Sequence, residues 1–288
     1  MGKRYGDSVA LADLDLEISE GEVFGYLGPD GAGKTTTIRL LLGLIRPTSG
    51  RAEVFGLDAQ RQAVAAHQRL AYAPGEASLW PALTGEETLH LLGRVHGRVD
   101  AAYRDELIER FAFDPRKKVR AYSKGNRQKV VLIAALVARA DLLVLDEPTS
   151  GLDPLMEHVF RQCMIEARQR GQTVFLSSHI LSEVEAVCTR VGILRAGRLV
   201  ETGALEDLRH LSALTVEATF DGPPPDLAAV PGVTVVGVEG DTVRLRVQGR
   251  VEPLLHALAL APVARLLSRE PSLDELFLAH YGKGTDAA

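Results

Sequence analysis

Read for the spacing of its apolar positions, the chain divides into short buried runs that alternate with stretches of helical period. Apolar and polar residues alternate from Leu14 to Ile18, which predicts a half-buried strand, and the acidic turn Ser19-Glu20-Gly21-Glu22 follows. Val23 to Leu27 predicts a fully buried strand. It runs into Gly28-Pro29-Asp30-Gly31-Ala32-Gly33-Lys34-Thr35, after which Thr36 to Leu44 carries a helical pattern stopped at Gly43 and Pro47. Residues Ala59 to Leu70 predict a helix, turn chemistry surrounds Pro74, Gly75 and Pro81, and Thr84-Gly85-Glu86-Glu87 reads as a capping box opening another helix. A mostly helical insertion is expected over about residues 77–120. Ser123 is placed to cap a helix from Arg127 to Ala138, and Leu142 to Leu145 predicts a buried strand ending in Asp146-Glu147-Pro148. A helix over Leu155 to Arg170, a strand from Thr173 to Leu176 ending at Ser177-Ser178-His179, a short helix and a strand from Val191 to Leu194 follow. Such alternation predicts an α/β fold with a mostly parallel sheet covered on both faces.

The pattern changes after about Leu211. Pro223-Pro224-Pro225 is a stiff break, and Val233 to Val238 and Val243 to Val247 flank Glu239-Gly240-Asp241 as a hairpin. Helical stretches over Glu252 to Leu260 and Ser272 to His280 complete a small α+β unit, which gives a two-domain division at 1–210 and 211–288.

Composition narrows the classes. With 46% hydrophobic and 25% charged residues and a formal charge of -5, the 288-residue chain has an ordinary globular balance and no basic footprint for nucleic acid. The longest apolar run, Val130 to Ala138, is about half the ~20 residues of a membrane span, and Met1 to Tyr5 lacks the apolar stretch of a secretory signal. Any membrane pore it serves is expected to belong to another chain. The two cysteines, Cys163 and Cys188, have no metal-ligand spacing and read as buried thiols of a reducing compartment.

Chemistry concentrates in the first domain. Gly28 to Thr35 fits G-x-x-x-x-G-K-[ST] between a buried strand and a helix start, where backbone N–H groups and the positive helix end meet phosphates. Lys34 is expected to neutralise the β and γ phosphates and Thr35 to place its hydroxyl on Mg²⁺. The strand Leu142 to Leu145 delivers Asp146, expected to hold Mg²⁺ through water, and Glu147, expected to polarise the attacking water. Any P-loop nucleotide triphosphatase satisfies this much.

Tyr122-Ser123-Lys124-Gly125-Asn126-Arg127-Gln128, just ahead of the Asp-Glu strand, resembles the L-S-G-G-Q signature of ABC ATPases, with Ser123 and Gly125 matching and Tyr122, Lys124 and Asn126 departing. Ser150-Gly151-Leu152-Asp153 resembles the D-loop of that family, and His179 its switch histidine. The resemblance runs from about Tyr5 to Leu205, with five motifs in the family's order, and Tyr5 matches the aromatic that stacks on adenine. Absence of an N-K-x-D motif favours ATP over GTP.

The resemblance implies a P-loop ABC ATPase core with an inserted helical subdomain, acting as one of a pair of subunits, the same chain or a homologue. Two ATP molecules are enclosed head to tail, each bound by one subunit's Gly28 to Thr36 and capped by the other's Ser123, Lys124, Gly125 and Asn126. It also implies a multi-span membrane permease as partner, docking near Trp80, Leu83 and Gly75, and a place at the cytoplasmic face of the cell membrane. Where the family sets a glutamine after a proline, this chain has Pro74, Gly75 and Glu76; either Glu76 or a water substitutes, or coupling differs. The chain also begins almost at Tyr5, whereas relatives carry a preceding strand, so a misplaced start or a missing edge strand is expected. The stretches Tyr122 to Gln128, Glu147 to Pro154 and Glu270-Pro271-Ser272-Leu273-Asp274-Glu275-Leu276-Phe277 look like those of daunorubicin- and polyketide-antibiotic-type exporters, which carry a small C-terminal α+β domain. Export of a hydrophobic drug, antibiotic or lipid is thereby implied. A soluble mechanical ABC ATPase acting on ribosomes or DNA is the rival, without the second ATPase half or long coiled coil usual there; a degenerate regulatory subunit is another, opposed by Glu147 and His179.

Overall fold

The structure is a computed structural model that describes residues 1–97, 100–205 and 214–269. The chain divides into two compact units, with the boundary between Gly203 and Ala204. In the first, β1 (Lys3–Tyr5) and β2 (Ser8–Leu11) form an antiparallel hairpin. Next comes β3 (Val23–Leu27), buried at every position, as a strand covered on both faces must be. It leads through the glycine-rich loop into α1 (Lys34–Leu41). The short pair β4 (Glu53–Val54) and β5 (Leu57–Asp58) is followed by α2 (Ala63–His67) and β6 (Leu70–Ala73). Two helices, α3 (Gly85–His96) and α4 (Ala101–Arg110), and a 3-10 turn at Val119–Ala121 precede α5 (Lys124–Val137). The remaining elements are β7 (Leu142–Asp146), α6 (Pro154–Gln169), β8 (Thr173–Ser178), α7 (Leu181–Val187), β9 (Arg190–Arg195) and β10 (Arg198–Ala204).

The main sheet has the order β10-β9-β3-β8-β7-β6, and its pairs from β9 to β6 are parallel. Placing β3 beside β8 and β8 beside β7 aligns three carboxyl ends: Leu27 pairs with Ser178, and Asp146 with Ser177. Ligands of open parallel sheets bind outside these ends. Beneath them Phe24 stacks on Phe175 at 6.1 Å and Tyr26 meets the same ring at 5.2 Å, packed with Ile38, Leu40 and Val144. Cys163 and Cys188 are buried and free. Burial pushes the Cys163 thiol up to about 11 and raises that of Cys188 as well.

Several expectations need correction. Leu14 to Ile18 keeps its alternation of buried and exposed side chains but pairs in no sheet among the described residues. Leu14 exchanges backbone hydrogen bonds with Met1 at 2.6 and 2.8 Å, and the Glu17 carbonyl accepts from the Arg190 guanidinium at 3.1 Å. A cavity of about 690 Å³ lies beside the segment, lined by Leu16, Ile18, Val54 and Phe55 among others. Period-two alternation reports one buried face and says nothing of a hydrogen-bonded neighbour. The helix expected over Ala59 to Leu70 is confined to α2, and the strand β6 was hidden behind it, because Ala71 and Ala73 are strong helix formers whose strand state is imposed by pairing with β7. Likewise α5 starts at Lys124 rather than Arg127, and α1 ends at Leu41 rather than Leu44. The capping box is complete: Thr84 Oγ1 accepts the Glu87 N–H at 3.2 Å and the Glu87 carboxylate accepts the Thr84 N–H at 2.7 Å.

The second unit holds β11 (Leu214–Phe220), β12 (Val233–Glu239), β13 (Thr242–Val247), α8 (Glu252–Ala259) and β14 (Val263–Arg269), the strands forming an antiparallel sheet ordered β12-β13-β11-β14. Alternate residues Val216, Ala218, Phe220, Val243, Leu245 and Val247 bury one face under Leu254 and Leu258 of α8. The hairpin and helix match the expected pattern, whereas β10, β11 and β14 were not foreseen; β14 leaves Leu266 and Leu267 exposed and has no clean alternation to read. The helix expected over Ser272 to His280 and the Glu270 to Phe277 motif lie outside the described residues. No helix among the described residues is long and apolar enough to cross a membrane.

Candidate active site

The loop from Gly28 to Gly33 curls over the carboxyl end of β3 because glycine allows it. A Cβ on Gly28 would come within 2.5 Å of the Leu194 carbonyl oxygen, and one on Gly33, whose φ is 112°, within 2.7 Å of that of Ala10. No side chain caps the amino end of α1, so its free N–H groups and positive dipole end are left to the loop. Lys34 is nearly inaccessible; its ammonium donates to the Gly28 carbonyl at 2.6 Å and to that of Pro29 at 3.3 Å, and stands 3.1 Å from Glu147 Oε1. That last contact is an ion pair without hydrogen-bond alignment, and Oε1, though buried, receives no hydrogen bond.

Both carboxylates are held by the sheet. Asp146 accepts from the Ser177 hydroxyl at 2.6 Å and the Thr35 hydroxyl at 3.1 Å. Glu147 leaves β7 with φ of 47°, a left-handed backbone that costs a residue with a side chain about 1–3 kcal/mol and concentrates at functional sites. Its N–H is secured by the Ser177 carbonyl at 3.1 Å, and its Oε2 lies 2.7 Å from His179 Nδ1. Asp30, exposed at the tip of the loop, converges with this pair: ligand atoms of Asp30, Glu147 and His179 lie within 4.8 Å of one another. An ammonium, three carboxylates, two hydroxyls and an imidazole thus meet at the end of a helix. Such a set can neutralise phosphate, hold a hard cation and orient water.

Gly75 explains its own identity. A Cβ there would approach the Asp146 carbonyl oxygen to 2.9 Å and Glu147 Cβ to 3.3 Å, so only glycine lets the chain after β6 lie against the Asp-Glu pair. The preceding Pro74 carbonyl accepts from the buried Gln128 amide of α5 at 3.2 Å. Glu76 is exposed, with no hydrogen bond or ion pair among the described residues. Replacing Gly75 by Ala is expected to cost about 1–3 kcal/mol through overpacking and to slow hydrolysis more than it weakens nucleotide binding. Urea unfolding and paired binding and turnover assays measure this.

The signature and D-loop segments meet each other rather than the loop. Lys124 Nζ donates to Ser150 Oγ at 2.8 Å, and a Cβ on Gly125 would fall 2.3 Å from the Gly151 carbonyl oxygen. Ser123 caps α5, its exposed hydroxyl accepting the Asn126 N–H at 3.2 Å. Asp153 caps α6 through the Met156 N–H at 3.0 Å, and the Leu152 N–H closes a turn on Thr149. Ala32 is buried, and Thr36 lies in the first turn of α1. Tyr5, 47% exposed, stands on the hairpin whose Ala10 abuts Gly33, with Lys3 Nζ 4.8 Å from its ring centre. Trp80 is 48% exposed, while Leu83 is half-buried. Ser177 and Gln128 were missed as site residues; only the register that sets Ser177 beside Asp146 reveals the first, and only the burial of an amide on an otherwise apolar helix face hints at the second.

The family model described as ABC transporter matches residues 11–150. Over 96% of this chain, and 92% of the relative, the sequence is 38% identical to the daunorubicin resistance ATP-binding protein DrrA3 of Streptomyces coeruleorubidus. It is 34% identical to Nod factor export ATP-binding protein I of Cupriavidus metallidurans, covering 98% of this chain and 95% of that one. Among solved structures, an ATP-binding subunit of an ABC transporter superposes with a TM-score of 0.67 at 32% identity, covering 72% of this chain and 89% of that chain. The protein belongs to the ABC transporter ATP-binding family: it binds and hydrolyses ATP as a subunit of an ABC transporter.

Proposed function

We propose that this chain powers export of a hydrophobic compound, a drug, antibiotic or lipid, through a separate multi-span permease at the cytoplasmic face of the cell membrane. In support, relatives named for daunorubicin resistance and Nod factor export match it nearly end to end. The first domain, about residues 1–210 with a helical subdomain near 77–120, is the ATPase, and the remainder an accessory domain.

The observation that carries the catalytic part is the position of Glu147 between Lys34 and His179, at 3.1 and 2.7 Å. In the proposal the triphosphate replaces Glu147 as the anion beside Lys34, and Glu147 Oε1 turns to the attacking water. His179 keeps the carboxylate aimed through Nδ1, leaving Nε2 for the γ-phosphate. Phosphoryl transfer needs little more than such positioning and charge stabilisation. Thr35 and Asp146, whose oxygens lie 3.1 Å apart, are suited to a hard divalent cation, which takes oxygen ligands; Mg²⁺ bound there supplies charge neutralisation of the phosphate oxygens. Tyr5, 47% exposed, stacks on adenine.

A second subunit, the same chain or a homologue, lays its Ser123, Lys124, Gly125 and Asn126 over the triphosphate, with Ser150 to Asp153 at the seam. Closure on ATP and reopening after hydrolysis drive the permease, which docks near Trp80 and Gly75. Affinity purification of the chain from membranes tests this reading. A multi-span protein encoded beside it is expected to co-purify, and hydrophobic compounds are expected to stimulate hydrolysis in the complex; recovery only with ribosomes or DNA points to the mechanical rival.

A further inference from the structure

Glu183, on α7, takes no direct part in the site described above, yet its carboxylate touches both halves of it. Its Oε1 accepts the Thr149 hydroxyl at 2.5 Å, and its Oε2 accepts the Ser178 hydroxyl at 2.7 Å. Thr149 follows Glu147 by two residues, in a turn where the Glu147 carbonyl accepts the Ser150 N–H at 3.1 Å and the Thr149 carbonyl the Leu152 N–H at 2.9 Å. Ser178 immediately precedes His179; its carbonyl accepts the Gly28 N–H at 3.3 Å, and its hydroxyl accepts the Ile180 N–H at 2.9 Å. Thr149 and Ser178 are themselves buried, so neither hydroxyl has bulk water as an alternative partner. A cavity of about 70 Å³ lies alongside, lined by Thr149, Glu157, Phe160, Arg161, Ser182 and Glu183. Burial raises the Glu183 pKa, with the Thr149 and Ser178 hydroxyls acting against it.

We propose that Glu183 is a positioning residue for ATP hydrolysis: by fastening the turn after Glu147 to the end of β8 before His179, it holds these two side chains at hydrogen-bonding distance and keeps the strained Glu147 backbone in place. The inference rests on the catalytic reading of Glu147 and His179. Without the clamp the left-handed residue relaxes, the 2.7 Å contact opens, and the carboxylate no longer meets the water in line. Misplacement by about 1 Å can cost about a hundredfold in rate.

The test compares Glu183→Ala, Glu183→Gln, Thr149→Val and the Glu183→Ala/Thr149→Val double variant in the full chain, assayed well below the unfolding temperature of each. Glu183→Ala and Thr149→Val are each expected to lower kcat about 10–100-fold while KM and nucleotide Kd stay within about twofold. The double variant is expected to be no worse than the poorer single one, since both break one link. Glu183→Gln is expected to stay within about threefold of wild type, because its amide accepts one hydroxyl hydrogen bond and donates to the other oxygen. A Glu183→Ala chain that turns over normally, a Gln variant as poor as Ala, or fully additive losses would each overturn the clamp. Glu147→Gln is run beside them. Normal turnover by that variant overturns the underlying catalytic reading, whereas an inactive Glu147→Gln with a fully active Glu183→Ala overturns the clamp alone.

Discussion

Glu147→Gln is expected to lower steady-state ATP hydrolysis about 10²–10⁴-fold, the usual worth of a positioned general base, while ATP binding survives. The substitution is nearly isosteric, so the left-handed backbone at φ 47° and the N–H bond to Ser177 persist, and a neutral hydrogen bond to His179 remains available. What disappears is the charge. In the free chain that charge faces Lys34 at 3.1 Å, and its removal leaves the ammonium with the Gly28 and Pro29 carbonyls and the more distant Asp30 carboxylate at 4.0 Å, readier for phosphate. Affinity for ATP therefore holds steady or rises as turnover collapses, and the two are separated by equilibrium nucleotide binding and single-turnover hydrolysis. A variant that still hydrolyses within about tenfold of wild type contradicts a base role for this carboxylate.

Ser123→Arg is expected to cost at least about 10²-fold in hydrolysis, comparable to losing one donor that stabilises transition-state charge. Nothing within the single chain accounts for so large an effect. Ser123 is exposed, and its hydroxyl accepts one backbone N–H at the start of α5, a cap worth about 1 kcal/mol. Neither Lys34 nor Glu147 touches it. The loss arises only if Ser123 faces a nucleotide bound by a neighbouring subunit, where an added guanidinium blocks closure. Thermal unfolding of the variant is expected to show only the cap-sized change, and its binding of ATP as an isolated chain is expected to match wild type. A turnover loss no larger than the stability change contradicts the shared site.

Much of the site was legible because its parts are contiguous. Gly28 to Thr35 and the Asp146-Glu147 pair each carry loop, helix start and charge within a few residues, and their spacing alone states the chemistry. What stayed hidden depends on which strands become neighbours. Ser177 supports Asp146 and Glu147 only because β7 and β8 pair in a register that sets Asp146 beside it, and no local pattern encodes a parallel register. Gly75 looked like a lost glutamine, whereas its lack of a Cβ lets it lie against the Asp146 carbonyl, a constraint set by tertiary approach. The misread segments share a cause: Leu14 to Ile18 has strand-like alternation without a strand neighbour among the described residues, and Leu70 to Ala73 has helix-prone composition with one on β7. Tertiary pairing overrides local preference in both directions.

Shared ownership of each nucleotide by two subunits is open to a mixing experiment. Glu147→Gln and Ser123→Arg chains are each expected to be inactive alone, yet a mixed dimer holds one site made of an intact Lys34 and Glu147 from one chain and an intact Ser123 from the other. Random pairing at equal amounts gives about half mixed dimers, each with one whole site of its two, so hydrolysis is expected to return to about a quarter of the wild-type rate. A mixture that stays as inactive as its separate components contradicts a nucleotide site completed across the pair.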